Sequence, residues 1–287
     1  MEGKTLIRFF RREGFRLVIR VGIVQAGFST NAVENAGKIE DIVRKGFREA
    51  DFIVLPEYSM VNVFDLKPAD VFRLSESISD STYLKRLSRI ANDLGVHIFA
   101  HFIEKHSAFA KPLSSSVLVK PDGSLVKVYS KIHLFDAYGY IESNYFSPGK
   151  SLSKEVVVGD ARIRVAICYD LRFPELFRTY ALEGANLVVV HGGWVSGFLK
   201  EETLDFLVKA RAHENGLWIV LSNHFGREYV GRSMVVNPYG VKVLDLGLGE
   251  KYVEFEIDLS LVSEVREKIP VLSKSKELWD IRFKYGM

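Results

Sequence analysis

The stretch Arg162-Ile-Arg-Val-Ala-Ile-Cys-Tyr-Asp-Leu-Arg-Phe-Pro-Glu175 decides how the chain reads. Residues 163–167 are mostly apolar and rich in β-branched side chains, the pattern of a buried strand. Pro174 suits the first position of a helix, where it has no N–H to lose and its φ is already helical. Cys168 therefore falls where a strand gives way to a turn and then a helix, a junction that can hold a nucleophile exposed at a strand end. A lone free cysteine is more often a small buried hydrophobe. Two further segments reverse that reading.

The first is Phe52-Ile-Val-Leu-Pro-Glu-Tyr58, an apolar strand ending on the carboxylate of Glu57. The second is Val126-Lys-Val-Tyr-Ser-Lys-Ile-His-Leu-Phe-Asp136, a strand ending on Lys131. Taken singly, a strand-end acid and a lysine are solvated surface groups. In layered α/β folds, however, strand ends are where side chains from distant positions converge. Together with Cys168 they supply a nucleophile, a proton acceptor and a cationic stabiliser.

At these residues the chain resembles the nitrilase superfamily of carbon–nitrogen hydrolases, whose signature is a Glu-Lys-Cys triad in that order. The resemblance extends through Tyr129-Ser-Lys-Ile-His-Leu-Phe135, Ile167-Cys-Tyr-Asp-Leu-Arg-Phe-Pro-Glu-Leu176, Ala210-Arg-Ala-His-Glu-Asn215 with Trp218 and Asn223, and Gly231-Arg-Ser-Met-Val-Val-Asn-Pro-Tyr-Gly240. It covers roughly residues 18–257, and several matched segments in order are far more specific than any one. Cys-Tyr-Asp at the nucleophile is similar to the ω-amidase-like branch, where true nitrilases usually carry Cys-Trp-Glu. The resemblance implies a four-layer α-β-β-α sandwich and an amidase that hydrolyses a small carboxylate-bearing amide to acid and ammonia through a cysteine acyl-enzyme. A nitrilase or an N-carbamoyl amidase would use the same triad, and a catalytically silent relative serving as a binding module is the further alternative. The family places a second glutamate beside the lysine, and Glu142 matches it. Two sandwiches commonly join in this family, which implies a homodimer or larger symmetric assembly.

The chemistry of amide cleavage assigns further candidates. A neutral thiol attacks an amide poorly, so Glu57 is the candidate base. Lys131 and the backbone N–H of Tyr169 are the candidate donors to the oxyanion. Arg172 either receives a substrate carboxylate or anchors the turn. The segment His191-Gly-Gly-Trp-Val-Ser-Gly197 follows a strand, so His191, Gly192 and Trp194 are expected to line the pocket. It departs from the usual sequence of the ω-amidase-like branch. His133 or His191 as partner of Cys168 is the alternative base. Arg211 and Glu214, three apart on a helix, read as a structural ion pair.

The 287 residues include 39 Lys and Arg, 36 Asp and Glu and one Cys. A net charge of +3 without a basic stripe argues against nucleic acid as a partner. No apolar run reaches the ~18–20 residues of a membrane span, and a small-molecule substrate remains the expected partner. A single Cys excludes internal disulfides and Cys-rich metal sites and fits a reducing, cytoplasmic setting. His97, His101 and His106 have no carboxylate pair or cysteine beside them to complete a ligand set, so no metal is expected. Gly247-Leu-Gly249 is too short for a dinucleotide loop, and no cofactor is expected.

Strands are expected at 17–25, 52–55, 96–103, 115–119, 125–129, 187–190, 218–222, 234–236, 241–244 and 253–257. Helices are expected at 31–50, 83–94, from the Cys168 turn to 183, and at 202–215. Pro121-Asp-Gly123 marks a hairpin, and the long loop 132–153 has the length of a functional one. Strands interleaved with helices suggest two mixed sheets covered by helices. Residues 1–17 read as an N-terminal extension, 18–260 as the hydrolase domain, and 261–287 as a tail packing on the domain or a partner subunit. Exposed apolar surface on the helix after Cys168 and on that tail is the expected assembly face.

Overall fold

The computed structural model describes residues 17–281 and 283, so the expected N-terminal extension lies almost wholly outside the described residues, as does Tyr285, one of the apolar residues of the expected tail. In chain order the elements are β1 (Val18–Gln25), α1 (Ala32–Gly46), β2 (Phe52–Val54), α2 (Pro68–Leu74), α3 (Thr82–Leu94), β3 (His97–Glu104), β4 (Leu113–Val119) and β5 (Leu125–Ser130). A small hairpin, β6 (Asp136–Ala137) and β7 (Tyr140–Ile141), leads to β8 (Val156–Val158), β9 (Ala161–Ile167), α4 (Pro174–Leu182) and β10 (Leu187–Gly192). The remainder is α5 (Lys200–His213), β11 (Trp218–Asn223), β12 (Met234–Val236), β13 (Lys242–Asp245), β14 (Lys251–Asp258), α6 (Ser260–Lys268) and α7 (Val271–Leu278).

The strands form two six-stranded mixed sheets, ordered β14-β1-β2-β3-β4-β5 and β13-β12-β11-β10-β9-β8. In the first, β1, β2 and β3 run parallel; in the second, β9, β10 and β11 do. These central strands are covered on both faces, which is why they read as unbroken apolar runs. Along β10, Leu187 and Val189 face the other sheet while Val188 and Val190 face helices. Alternate residues of one strand thus serve two cores. One core lies between the sheets, one under α1 and α3, and one under α4 and α5. The architecture is the four-layer α-β-β-α sandwich.

Local chemistry sets the helix limits. Asn31 caps α1 by accepting from Val33 and Glu34 N–H, and Ala36, Ile39 and Val43 form its buried stripe. This helix ends at Gly46 rather than near 50, where Phe47 turns extended at φ −61° and ψ 136°, and Gly46 packs so closely on the Tyr252 ring that a Cβ would sit 2.5 Å from Tyr252 Cδ1. Ser81 caps α3 and Gly95, at φ 65°, closes it. After Cys168 the chain first makes a 3-10 turn, Cys168–Arg172, and α4 starts only at Pro174. Phe173 is held extended at φ −111° and ψ 93° by the proline that follows it.

Three expectations change. The short helix α2 and the β6–β7 hairpin fall in stretches that read as loop. The C-terminal segment is two helices, with Val262 and Val265 of α6 buried against the inter-sheet core and its flank. Leu176, Phe177, Tyr180 and Ala181 of α4 are buried within their own chain rather than displayed. Their amphipathic spacing satisfies the core under α4, so the exposed apolar groups in this region are instead Val271, Leu278 and Trp279.

Candidate active site

Glu57, Lys131 and Cys168 all lie just beyond the C-terminal ends of strands. Glu57 follows β2, Lys131 is the residue after β5, and Cys168 is the residue after β9. The first two belong to one sheet and the cysteine to the other, so the three meet at the end of the sandwich. Lys131 Nζ lies 2.9 Å from Glu57 Oε1 and 2.9 Å from Glu142 Oε1. Glu142 opens a 3-10 turn after β7, which is how the long loop 132–153 reaches the site. All three charged side chains are buried, with side-chain exposure of 2% for the lysine and 1% for each acid. The Cys168 side chain interacts with that of Glu57 and with the backbone N–H of Gly193, and both interactions weigh on its protonation.

Burial of this cluster controls its protonation. Burial raises the Glu57 carboxyl, the Lys131 cation lowers it and the Glu142 anion raises it again, leaving it at about 7. Burial works against the Lys131 ammonium, yet the Glu142 and Glu57 carboxylates outweigh it and hold its pKa well above the usual lysine value. The Cys168 thiol is pushed well above the usual range by burial and then by the charge of Glu57. Such a thiol keeps its proton until a neighbour removes it. The neighbour in contact is a carboxylate that titrates near neutrality.

The backbone around the cluster is strained where it matters. Cys168 has φ 44° and Tyr58, next to Glu57, has φ 60°. Left-handed backbone costs a non-glycine residue roughly 1–2 kcal/mol, so each turn needs outside support. Asp170, fully buried, accepts from Ile167 N–H at 2.8 Å and Tyr129 Oη at 2.9 Å, and its other oxygen is 2.7 Å from His133 Nδ1. Arg211 Nε donates to Leu171 O at 2.9 Å, while its Nη1 bonds Glu214 at 2.9 Å. The Arg211–Glu214 pair is therefore also a strut from α5 to the cysteine turn. Tyr58 Oη donates to Glu142 Oε1 at 3.0 Å.

A cavity of about 340 Å³ opens on these groups. Its wall includes Tyr169, Arg172, Gly193, Trp194, Lys200 and Tyr229, with Phe135, Tyr138 and Tyr140 from the β6–β7 hairpin and its approach. Arg172 stacks on Trp194 at 5.1 Å and Tyr169 at 5.9 Å from the ring centres. Its Nε is buried with no hydrogen-bond partner among the described residues. His191 and Gly192 do not line this cavity. His191 points between the sheets, its Nε2 2.8 Å from Ser116 Oγ and its Nδ1 2.6 Å from Leu55 O. Because strand residues alternate, the segment turns into the cavity only at Gly193, after β10 has ended. His133 is paired with Asp170 and stacked on Phe173 at 3.6 Å. Neither histidine contacts the thiol.

The sequence profile of the carbon–nitrogen hydrolase family matches residues 20–267. The chain belongs to the carbon–nitrogen hydrolase family. This hydrolase is an enzyme acting on C–N bonds. It is 30% identical over 273 residues to "Omega-amidase NIT2" of Danio rerio, covering 90% of this chain and 94% of the relative. To "2-oxoglutaramate amidase" of Bacillus subtilis it is 31% identical over 242 residues, or 83% of this chain and 90% of the other. Its fold superposes on the C. elegans NitFhit protein with a TM-score of 0.82 at 25% identity, covering 92% of this hydrolase and 66% of that chain.

Sequence reasoning passed over Gly193, Asp170, Tyr58 and Lys200. A Cβ on Gly193 would lie 2.6 Å from Glu57 Oε2, so the glycine lets the loop close on the acid. The doublet Gly192-Gly193 after a strand was the available signal. Asp170, two residues past the cysteine, carried the signal of an acid in the short turn between a strand and the helix-opening Pro174. Among the described residues no group of three His, Cys, Asp or Glu side chains is arranged to hold a metal. No described helix is long and apolar enough to cross a membrane.

Proposed function

We propose that the protein is an amidase that hydrolyses small carboxylate-bearing amides to acid and ammonia through an acyl-enzyme on Cys168. The observation that carries this reading is one carboxylate, Glu57, hydrogen-bonded to a buried ammonium and interacting with the side chain of the only cysteine. Glu57 takes the thiol proton as the sulfur adds to the amide carbon. Lys131 and the Tyr169 N–H stabilise the resulting oxyanion. As the C–N bond breaks, Glu57 returns the proton to the departing nitrogen, and ammonia leaves behind a thioester. Glu57 then deprotonates a water that adds to the thioester. Collapse breaks the C–S bond, the thiolate recovers its proton, and the acid leaves. Glu142 keeps Lys131 charged and aimed.

Arg172 receives the substrate carboxylate. Its guanidinium faces a mainly aromatic cavity, and a buried Nε without a partner is suited to a ligand oxygen. The two relatives named for ω-amide and 2-oxoglutaramate hydrolysis support the same substrate class. The single thiol fits a reducing, cytoplasmic setting. Residues 18–260 form the hydrolase domain. The segment after it supports a homodimer through the cleft between α4 and α7, where Val271, Leu278 and Trp279 are exposed.

Ammonia release from a panel of succinamate-type amides, neutral amides, nitriles and carbamoyl amino acids tests the reading. The carboxylate-bearing amides are expected to give the highest kcat/KM, and a simple nitrile above them refutes it. Intact-mass spectrometry is expected to show the acyl adduct on wild type and none on Cys168→Ala, which should be inactive. Glu57→Gln is expected to lose on the order of 10²-fold or more in rate. Light scattering settles assembly: a fully active monomer of 32.6 kDa overturns the dimer.

A further inference from the structure

Two fully buried histidines lie behind Glu57 and take no part in the chemistry proposed above. His101 sits on β3 of the first sheet and His191 on β10 of the second, with ring centres 6.2 Å apart. Both project between the sheets, at the level where the inter-sheet layer turns from apolar to polar. Below them this layer is built from Phe99, Leu118, Val165 and Val189. Beside them it holds Ser114 and Ser116.

Their partners fix which nitrogen carries the proton. The Tyr58 N–H lies 3.1 Å from His101 Nδ1 and can only donate, so this nitrogen is bare and the proton is on Nε2, directed at Ser114 Oγ 2.9 Å away. The Leu55 carbonyl can only accept, so His191 is protonated on Nδ1, 2.6 Å away. His191 Nε2 then accepts from Ser116 Oγ at 2.8 Å. Burial lowers both rings, His101 well below the usual histidine value and His191 to about 4. Both stay neutral at working pH, and the donor–acceptor pattern does not change.

The two bonds grip one tetrapeptide, Leu55-Pro56-Glu57-Tyr58, from its two ends. His191 holds the carbonyl two residues before Glu57, and His101 holds the amide directly after it. That amide belongs to the residue with φ 60°, whose strained turn aims the carboxylate. The bond from His191 to Leu55 also crosses the sandwich. Glu57 rides on the first sheet and Cys168 on the second, so this bond ties the acid's strand end to the cysteine's sheet.

We propose that His101 and His191 are positioning residues that hold Glu57 against Cys168 and Lys131 by fixing the Tyr58 amide and the Leu55 carbonyl. The proposal rests on the reading of Glu57 as the base. A misplacement of about 1 Å at a reacting group costs up to roughly 10²-fold in rate.

The test uses the isomeric side chains that each keep one of the two bonds. At either position Asn places its amide where Nδ1 was and keeps the bond to the Glu57 turn. Gln reaches the Nε2 position and keeps only the bond to the serine. Two readouts apply: kcat and KM for succinamate, and the rate at which iodoacetamide alkylates Cys168, which is the only cysteine. His101→Gln and His191→Gln are expected to lose about 10- to 100-fold in kcat and in alkylation rate, with KM within about twofold. His101→Asn and His191→Asn are expected to stay within about fivefold of wild type in both. Circular dichroism melting identifies the folded variants to be compared. Gln variants matching or exceeding the Asn variants overturn the proposal, as does a loss confined to KM. A Glu57→Gln enzyme as active as wild type overturns the base assignment itself, whatever the histidine variants do.

Discussion

Replacing Glu142 by Gln removes one of the two negative charges that share the Lys131 ammonium. Lys131 Nζ is 2.9 Å from an oxygen of each acid, which places those oxygens within about 6 Å of each other. At an effective dielectric of about 20, two like charges at that spacing repel by roughly 3 kcal/mol. At about 1.4 kcal/mol for each tenfold change in proton affinity, that is a shift of about two in the titration of Glu57. The sign follows from the chemistry. The Glu142 anion raises the Glu57 carboxyl, so its loss lowers it, and Lys131, then shared with one acid only, pulls the same way. Glu57 must be ionised to accept the thiol proton. Wild-type kcat/KM is therefore expected to fall on the acid side with a midpoint near 7. In the variant the midpoint moves to about 5. At pH 6 the wild type should work at about one tenth of its plateau, and Glu142→Gln at roughly nine tenths of its own lower one. The assay is ammonia release from succinamate at low substrate concentration between pH 4.5 and 9, where kcat/KM reports the free enzyme. An acid limb that stays in place or moves upward refutes the reasoning. Glu57 would then not be the titrating base, or Glu142 would not be ionised.

Gly193→Ala places a Cβ 2.6 Å from Glu57 Oε2; it should cut kcat by about 10- to 100-fold while the melting temperature stays close to wild type, and an unaffected kcat would show that the loop yields. Arg172→Met should raise KM for succinamate by at least tenfold, roughly the 1.5–3 kcal/mol of a charge-assisted hydrogen bond, and leave propionamide hydrolysis unchanged; equal losses on both amides would make Arg172 an anchor only. Asp170→Ala strips the acceptor from the Ile167 N–H and the Tyr129 hydroxyl and should cost on the order of 3 kcal/mol in urea unfolding, with slower acylation of Cys168. A stability loss without slower acylation would limit Asp170 to a structural role.

What the sequence determined by itself was the list of candidate reacting groups and the kind of fold. Glu57, Lys131 and Cys168 each end an apolar, strand-length run, and such runs specify strands covered on both faces. The capping run Ser79-Asp80-Ser81, the stop at Gly95 and the Pro121-Asp-Gly123 turn were legible because each acts over three or four residues, whereas Asn31 read only as the start of its helix and its capping role came from the structure. Local chemistry also placed α4 behind Pro174, although the 3-10 turn before it was not separable from a helix. The tertiary structure decided everything that depends on which strand lies beside which. The expectation that His191 and Gly192 face the substrate failed because the side a strand residue faces is set by its sheet and by where the strand ends, here one residue before Gly193. The apolar face of α4 turned out to be interior, since spacing shows that a helix has such a face but not whether its own chain covers it. The protonation of the site likewise exists only in the fold. A carboxyl titrating near 7 and a thiol that holds its proton arise from burying two acids and a lysine within one hydrogen bond of each other, and residues separated by 11 and 74 positions meet there only because two sheets stack.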